Sequence, residues 1–533
     1  MKKILAMILV LVMSLSVLAG CGSGNDSGSK TQTSAPADDA GKDTQAAAAD
    51  NTTSDDGSKS YIDFDEEPYE VVIECLNLGS NMDSVPAIEE AVNAITVPAI
   101  NTKIKLMVIH IADHATKTAL WAAGGEKVDI YYTGTTVPFS QFVADGMIIP
   151  MTELLDQRGA TIKEKAGELL DAFKVNGEIY AIPQYLYCAT AKGINYNADM
   201  AKEYGIELPS EWNLDTMTEV GYQLKAAAPD KYLVAKNGST DAGEIMSYCG
   251  LESFSTGTAA YGVLMNPETD TTVVNLYTTD VFKDYCLHNI EWKENGFMPE
   301  DQAVNGENAQ DLYKNQMCFL QWCAVNPMEA LGTQTGCTFD SQQAMTSNGW
   351  FTSSAVQEKS WGISMNCERP DKAMDFLNFL YENAEVSNLL NWGIEGTDYV
   401  FVEGSDKIIT YPEGIDATNV GWSHMFQLFG DDMNNYQFAP ATEEYYTELK
   451  EFNENAVKCA TLGYTFDASS VSNQIAAVTT VVQEYVPSLV YGEIAEADLD
   501  AYLAELNEKL DSAGINDIIA ENQAQIDAWL ASK

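Results

Sequence analysis

Positive charge is what this sequence has least of: 29 Lys and Arg stand against 79 Asp and Glu, a formal net charge of −50. Repulsion of that size slows encounter with nucleic acid and with anionic membrane surfaces, so neither is expected as a partner. Histidine is scarce too, with four residues. His110 and His114 stand four apart, but they straddle a predicted strand end and no carboxylate motif follows, so no metal is expected. Cys286 near His288, and Cys318 with Cys323, read as core thiols and a surface imidazole. The chain has no G-x-S-x-G elbow, no G-x-x-x-x-G-K-[ST] phosphate loop and no G-x-G-x-x-G fingerprint. Nucleotide chemistry is therefore unsupported, and no cofactor is expected. With Cys21 set aside, nine of the ten cysteines remain, an odd number without the spacing of a disulfide framework. Most are expected to be small buried apolar residues.

The N-terminus carries a pattern of its own. Lys2 and Lys3 precede an apolar run over residues 4–17, and Leu18-Ala19-Gly20-Cys21 closes it with small residues and a cysteine. The run is shorter than the roughly 20 residues a membrane span needs, and the pattern is that of a lipoprotein signal peptide over residues 1–20. The predicted mature chain begins at Cys21, with its thiol diacylated on the outer face of a membrane. Residues 21–60 hold almost no large apolar side chain before Tyr61 and cannot bury enough surface to fold. They read as a tether with a reach on the order of 30 to 40 Å. No later apolar run is long enough to span.

Beyond Tyr61 the periodicity alternates. Residues 69–79 (YEVVIECLNLG) read as a strand, a helix follows from about Val85, and residues 101–109 form a second strand. Residues 114–123 are helical and residues 127–132 (KVDIYY) form a third strand. This order implies a mostly parallel sheet covered on both faces. Ligands in such sheets sit beyond the carboxyl ends of the strands. Asn77 and Ser80 after the first strand, and Tyr132 and Thr133 after the third, are therefore candidate site residues. Further on, Asn176-Gly177 between apolar-polar runs suits a type I′ hairpin turn joining residues 172–175 to 178–182. Residues 257–277, with Asn-Pro and Thr-Asp turn signals, suit another hairpin. The polar loop at residues 237–241 adds Asp241 as a candidate. The chain holds nine Trp and 26 Tyr, and stacking platforms beside amides and carboxylates are what a sugar site needs.

The phrase NGEIYAIP, followed by aromatic residues and NYNADMAKEYGIELPSEWNLDTM, resembles the extracellular solute-binding proteins of ABC importers, in their sugar-binding, maltose-binding-protein-like branch. FSQFVADGMIIPMTELLD and QMCFLQWC extend the resemblance. The segments NLLNWGIEGTDYVF and LGYTFDASSVSNQIAAVTTVVQEY resemble a Gram-positive lipoprotein subgroup with an extended helical C-terminal module. The resemblance implies an α/β, two-lobe, periplasmic-binding-protein-like (type II) fold with hinge crossings near residues 184–188 and 360–366. It implies an N-terminal lobe at 61–187, to which about 361–390 return, and a C-terminal lobe at 188–360. A loop-rich insertion and helical module at 391–533 are expected to pack on the C-terminal lobe. It places Tyr185 and Tyr187, past the hinge proline, in the ligand cleft. It ends the strand over residues 316–323 at Trp322, whose ring would stack on a sugar. The expected function is capture of an extracellular carbohydrate, an oligosaccharide by preference, by a lipid-anchored monomer on the cell surface, and delivery to an ABC permease, without catalysis. A peptide receptor is the alternative, and an extracellular glycoside hydrolase stands behind both, since 79 acidic residues make many chance carboxylate pairs.

Overall fold

The protein is described here by a computed structural model over residues 61–533, apart from positions 78, 80, 237–243, 246–248, 255–258, 301, 303–307, 329, 331–336 and 424–428. The expectations for the signal peptide, Cys21 and the tether, and those for Ser80 and Asp241, lie outside the described residues.

β1 (Tyr69–Asn77) is buried at every position from Val71 onward, as a central strand covered by helices on both faces must be. It pairs in parallel with β2 (Thr102–His110), from Tyr69 opposite Thr102 to Asn77 opposite His110. On its other side it meets β3 (Ile130–Gly134) in parallel at Ile73 and Ile130. The crossovers run through α1 (Val85–Ile100) and α2 (His114–Gly124). Asn101 ends α1 in the left-handed conformation, with φ 48°. Asn176 and Gly177, at φ 52° and 87°, turn β4 (Lys174–Val175) into β5 (Glu178–Ile179). This hairpin is shorter than its sequence suggests, because Ala172 belongs to a 3-10 turn, Gly167–Phe173, drawn into the core.

After β6 (Ile182–Pro183) the chain leaves this sheet, and β7 (Thr190–Asn197) opens a second one. β7 lies between β8 (Leu320–Val325) and β9 (Ser341–Phe351), antiparallel to both, with β11 (Val457–Lys458) parallel to β9 at the edge. The chain returns to the first sheet as β10 (Lys359–Ile363), giving the order β2–β1–β3–β10–β6. Each sheet anchors its own core. The first contains Val71, Ile73, Phe142 and Trp361, joined by α6 (Pro370–Glu382) and α7 (Ala384–Trp392). The second contains α3 (Leu214–Ala227), α4 (Asp280–Glu294) and three C-terminal helices, α8 (Ser472–Val490), α9 (Leu499–Ala513) and α10 (Ile515–Ser532).

Three readings of the sequence need correction. The strand expected over 316–323 is β8, shifted toward Val325, so Trp322 stands in mid-strand opposite Ile194. The hairpin expected over 257–277 is reduced to one antiparallel bridge between Val263 and Val274, and the paired strands are Glu252–Ser253 and Val263–Leu264. The region after 391 divides. Its three C-terminal helices pack on the second core, whereas Trp422 and Phe429 enter the first, where Phe429 stacks on Trp361 with ring centroids 5.0 Å apart. The intervening stretch builds a small sheet from Val400–Phe401, Ile408–Thr410 and Gln437–Phe438. No apolar periodicity in the sequence signals strands this short.

Candidate functional site

Two chain crossings meet between the sheets. The first runs from Pro183 to Thr190. The second is α5 (Ser353–Gln357) with Glu358 and Lys359. A glycine permits their junction with β3: Gly134 has φ 101°, and a Cβ there would lie 2.0 Å from the Glu358 carbonyl oxygen. The Thr135 N–H donates to that same carbonyl at 2.8 Å. Ser354 Oγ on α5 donates to Glu252 Oε1 of the second lobe at 2.8 Å. Burial pushes the Glu252 carboxyl up, against the opposing pull of Lys192 and Ser354. Gln357 donates to the Ala172 carbonyl of the first lobe and to Thr465 of the C-terminal module. α5 is thus bonded to both lobes.

A cavity of about 280 Å³ lies where the crossings converge. The first crossing contributes Tyr185, Tyr187 and Cys188, β7 contributes Thr190 and Lys192, the segment beyond β8 contributes Asn326 and Met328, and the second crossing contributes Glu358 and Lys359. The Lys359 ammonium sits 4.8 Å from the centre of the Tyr185 ring. A second cavity, of about 460 Å³, shares Ser354 and Glu358 with the first and extends along Gly134, Thr135 and Gln141. A third, of about 410 Å³, shares Pro138, Ser140 and Gln141 with the second. Its opposite wall is Phe254, Tyr261, Phe466 and Ile475. The three adjoin through shared residues and run outward from the crossings past the carboxyl end of β3. Rings, hydroxyls, one amide, two lysines and one glutamate line the first of them. Such a lining suits a ligand with apolar faces and polar edges.

The sequence-predicted residues scatter over this geometry. Tyr185 and Tyr187 line the same cavity. Tyr132 is fully buried, its ring edge-on to Trp361 at 5.7 Å and its Oη 2.6 Å from Thr135 Oγ1. Thr133 is also fully buried, its hydroxyl 2.5 Å from Ser360 Oγ. Both therefore hold the sheet to the second crossing and offer no surface to a ligand. Trp322 is 4 % exposed within the second core. Its placement in the cleft is overturned by strand alternation, which turns Leu320 and Trp322 inward and Gln321 and Cys323 toward the other face. Asn77 is buried at the end of β1, where its amide donates to the Gly79 carbonyl and its Oδ1 bonds to none of the described residues. His114 is buried, with Nε2 3.3 Å from Glu74. Among the described residues no cluster of His, Cys, Asp or Glu has the arrangement of a metal site.

Sequence reasoning missed Lys192, Asn326, Met328, Glu358, Lys359 and the segment from Thr135 to Gln141. Two signals were present. Glu358-Lys359 is a charged pair directly before an apolar strand, and Asn326-Pro327 is a turn directly after one.

Two lobes, each with its own sheet and core, joined by crossings that border adjoining cavities, define a solute-binding architecture. Residues 99–386, more than half of the chain, match the bacterial extracellular solute-binding proteins, and the chain belongs to that family. Residues 460–531 match a domain of unknown function, DUF3502. A carbohydrate ABC transporter substrate-binding protein of Streptococcus pneumoniae serotype 4 is 25 % identical over 496 residues, covering 91 % of this chain and 96 % of that protein. The crystal structure of the N-glycan transport solute binding protein NgtS from Streptococcus pneumoniae superposes with a TM-score of 0.74 at 23 % identity, covering 86 % of this chain and 99 % of that one. Its complex with Man5GlcNAc gives a TM-score of 0.64 at 24 % identity, covering 87 % and 99 %. These likenesses establish the two-lobe fold.

Proposed function

We propose that this protein is the lipid-anchored receptor of an ABC importer, capturing an extracellular oligosaccharide between its lobes and delivering it to a membrane permease. The observation that carries the reading is the row of three adjoining cavities along the crossings, with Tyr185 and Tyr187 at its inner end and Phe254 and Tyr261 at its outer end. A row of subsites suits a ligand of several rings. The pneumococcal relative is named for carbohydrate transport, and NgtS has been crystallised with Man1GlcNAc and Man5GlcNAc, which supports the same ligand class here. The anchor rests on the Leu18-Ala19-Gly20-Cys21 sequence. Among the described residues no helix is long and apolar enough to cross a membrane.

A thermal-shift panel of neutral oligosaccharides and peptides tests the ligand class. A ligand at a hundred times its dissociation constant adds roughly 2.7 kcal/mol of stability, and stabilisation is expected from the sugars alone. Stabilisation by peptides alone would transfer the protein to the peptide receptors. Fatty-acid labelling of the natural chain against Cys21→Ala tests the anchor, and equal labelling of the two would remove it.

A further inference from the structure

The first crossing carries an energetic liability that its own residues do not relieve. Gln184 is 1 % exposed, and neither amide atom of its side chain bonds to any described residue. Burying an unpaired amide is costly, so a free segment would rotate Gln184 toward water and carry its neighbours Tyr185 and Tyr187 with it. Two contacts from distant parts of the chain prevent this. On one side the Tyr381 hydroxyl donates to the Pro183 carbonyl. On the other, Asp432 Oδ2 accepts from the backbone N–H of Leu186 at 2.8 Å and of Tyr187 at 3.3 Å. Asp432 stands some 245 positions downstream, at the start of a 3-10 turn, Asp432–Asn434. It is 1 % exposed, and its Oδ1 bonds to no described residue.

We propose that Asp432 is a positioning residue for the ligand site, holding the 186–187 backbone so that Tyr185 and Tyr187 present their rings to the inner cavity. This rests on the reading of that cavity as the place of capture. A buried carboxylate without a cationic partner among the described residues is an expensive way to fill space, and two backbone donors converging on one of its oxygens give it a specific task. Burial pushes its pKa up to about 7; the Leu186 and Tyr187 N–H groups oppose that shift and neighbouring Asp431 adds to it. The other titratable groups facing it are Tyr187, Cys188 and Tyr381, and Lys165 is bound to Asp431. The loop-rich stretch after residue 391 thereby gains a role at the crossing.

Amide hydrogen exchange at Leu186 and Tyr187 in the ligand-free protein tests the hold itself, and calorimetric titration with Man5GlcNAc tests its consequence. Asp432→Ala should speed exchange at both amides at least tenfold and weaken sugar binding at least tenfold. Asp432→Asn keeps a carbonyl acceptor, so it should stay within threefold of the natural protein in both measurements. Unchanged exchange in a folded Asp432→Ala protein, or equal acceleration in both variants, overturns the proposal. Should Asp432→Ala fail to fold, the comparison moves to Asp432→Asn. Protection at the two amides, corrected for intrinsic exchange, should then vary between pH 6 and 8 in the natural protein and stay flat in the variant. Matching profiles overturn it. Failure of the natural protein to bind Man5GlcNAc would count against the ligand assignment, and the exchange result would still decide the role of Asp432.

Discussion

Tyr187 and Trp322 stand side by side as candidates in the sequence and separate once their burial is known. Tyr187 is half-buried at the cavity edge, so Tyr187→Ala should weaken binding of a captured oligosaccharide by about 2 kcal/mol, roughly thirtyfold, with little loss of stability. An affinity within twofold by calorimetry would exclude it from the site. Trp322 fills the second core, so Trp322→Ala should cost about 3 to 5 kcal/mol in urea unfolding through lost packing. Asp432 adds a pH dependence of definite sign. Its folded pKa lies above that of an ordinary carboxyl, near 4, so the stability it contributes is complete below that value and is lost as pH rises through about 7. Asp432→Asn mimics the neutral acid at every pH. Its melting temperature relative to the natural protein should therefore be higher at pH 8 than at pH 5, and a difference independent of pH would contradict the assignment.

At the scale of elements, the second crossing and the hairpin give a matched pair of glycines. Gly134 and Gly177 both have positive φ, so alanine is strained at either, by about 1 to 2 kcal/mol. Only Gly134 also faces backbone, with the Glu358 carbonyl 2.0 Å from the added Cβ, whereas Gly177 has nothing within 4 Å. Gly134→Ala should therefore lose on the order of 3 kcal/mol or more and disturb sugar binding through Glu358 and Lys359. Gly177→Ala should show the backbone strain alone. Equal losses for the two variants would mean that β3 and the crossing separate without penalty. The Asn176-Gly177 turn could be read from two residues because its geometry is local. The contact of Gly134 could not, since its partner lies 224 positions away.

For the whole molecule, the DUF3502 segment is a structural part of the second lobe. Val478, Val482, Leu506, Leu510 and Ile518 are buried in the same core as Met217 and Trp292. A chain ending at residue 459 should expose that core and fail to give a soluble, cooperatively unfolding second lobe. A truncated protein with unchanged melting would show the module to be an appendage. Binding of an oligosaccharide is expected to close the lobes about the two crossings, seen as a smaller radius of gyration in solution scattering at saturating ligand.

Composition and local pattern were enough to derive the absence of nucleotide motifs, the alternation of β1 to β3, the Asn-Gly turn and the order of segments that resembles solute-binding proteins. Each of these depends on near neighbours or on residue type alone. Of the candidate site, Tyr185 and Tyr187 followed from them and the remaining lining did not. Tyr132 and Thr133 stand at the end of β3, yet β10 returns from the other lobe and covers them, pairing Trp361 with Tyr132 and Ser360 with Thr133. The register of β8 on β7 turned Trp322 inward. The clamp on the first crossing joins Leu186 and Tyr187 to Asp432 across hundreds of residues. Burial and strand register are properties of the assembled sheets, and only tertiary packing decides which side of a strand meets water.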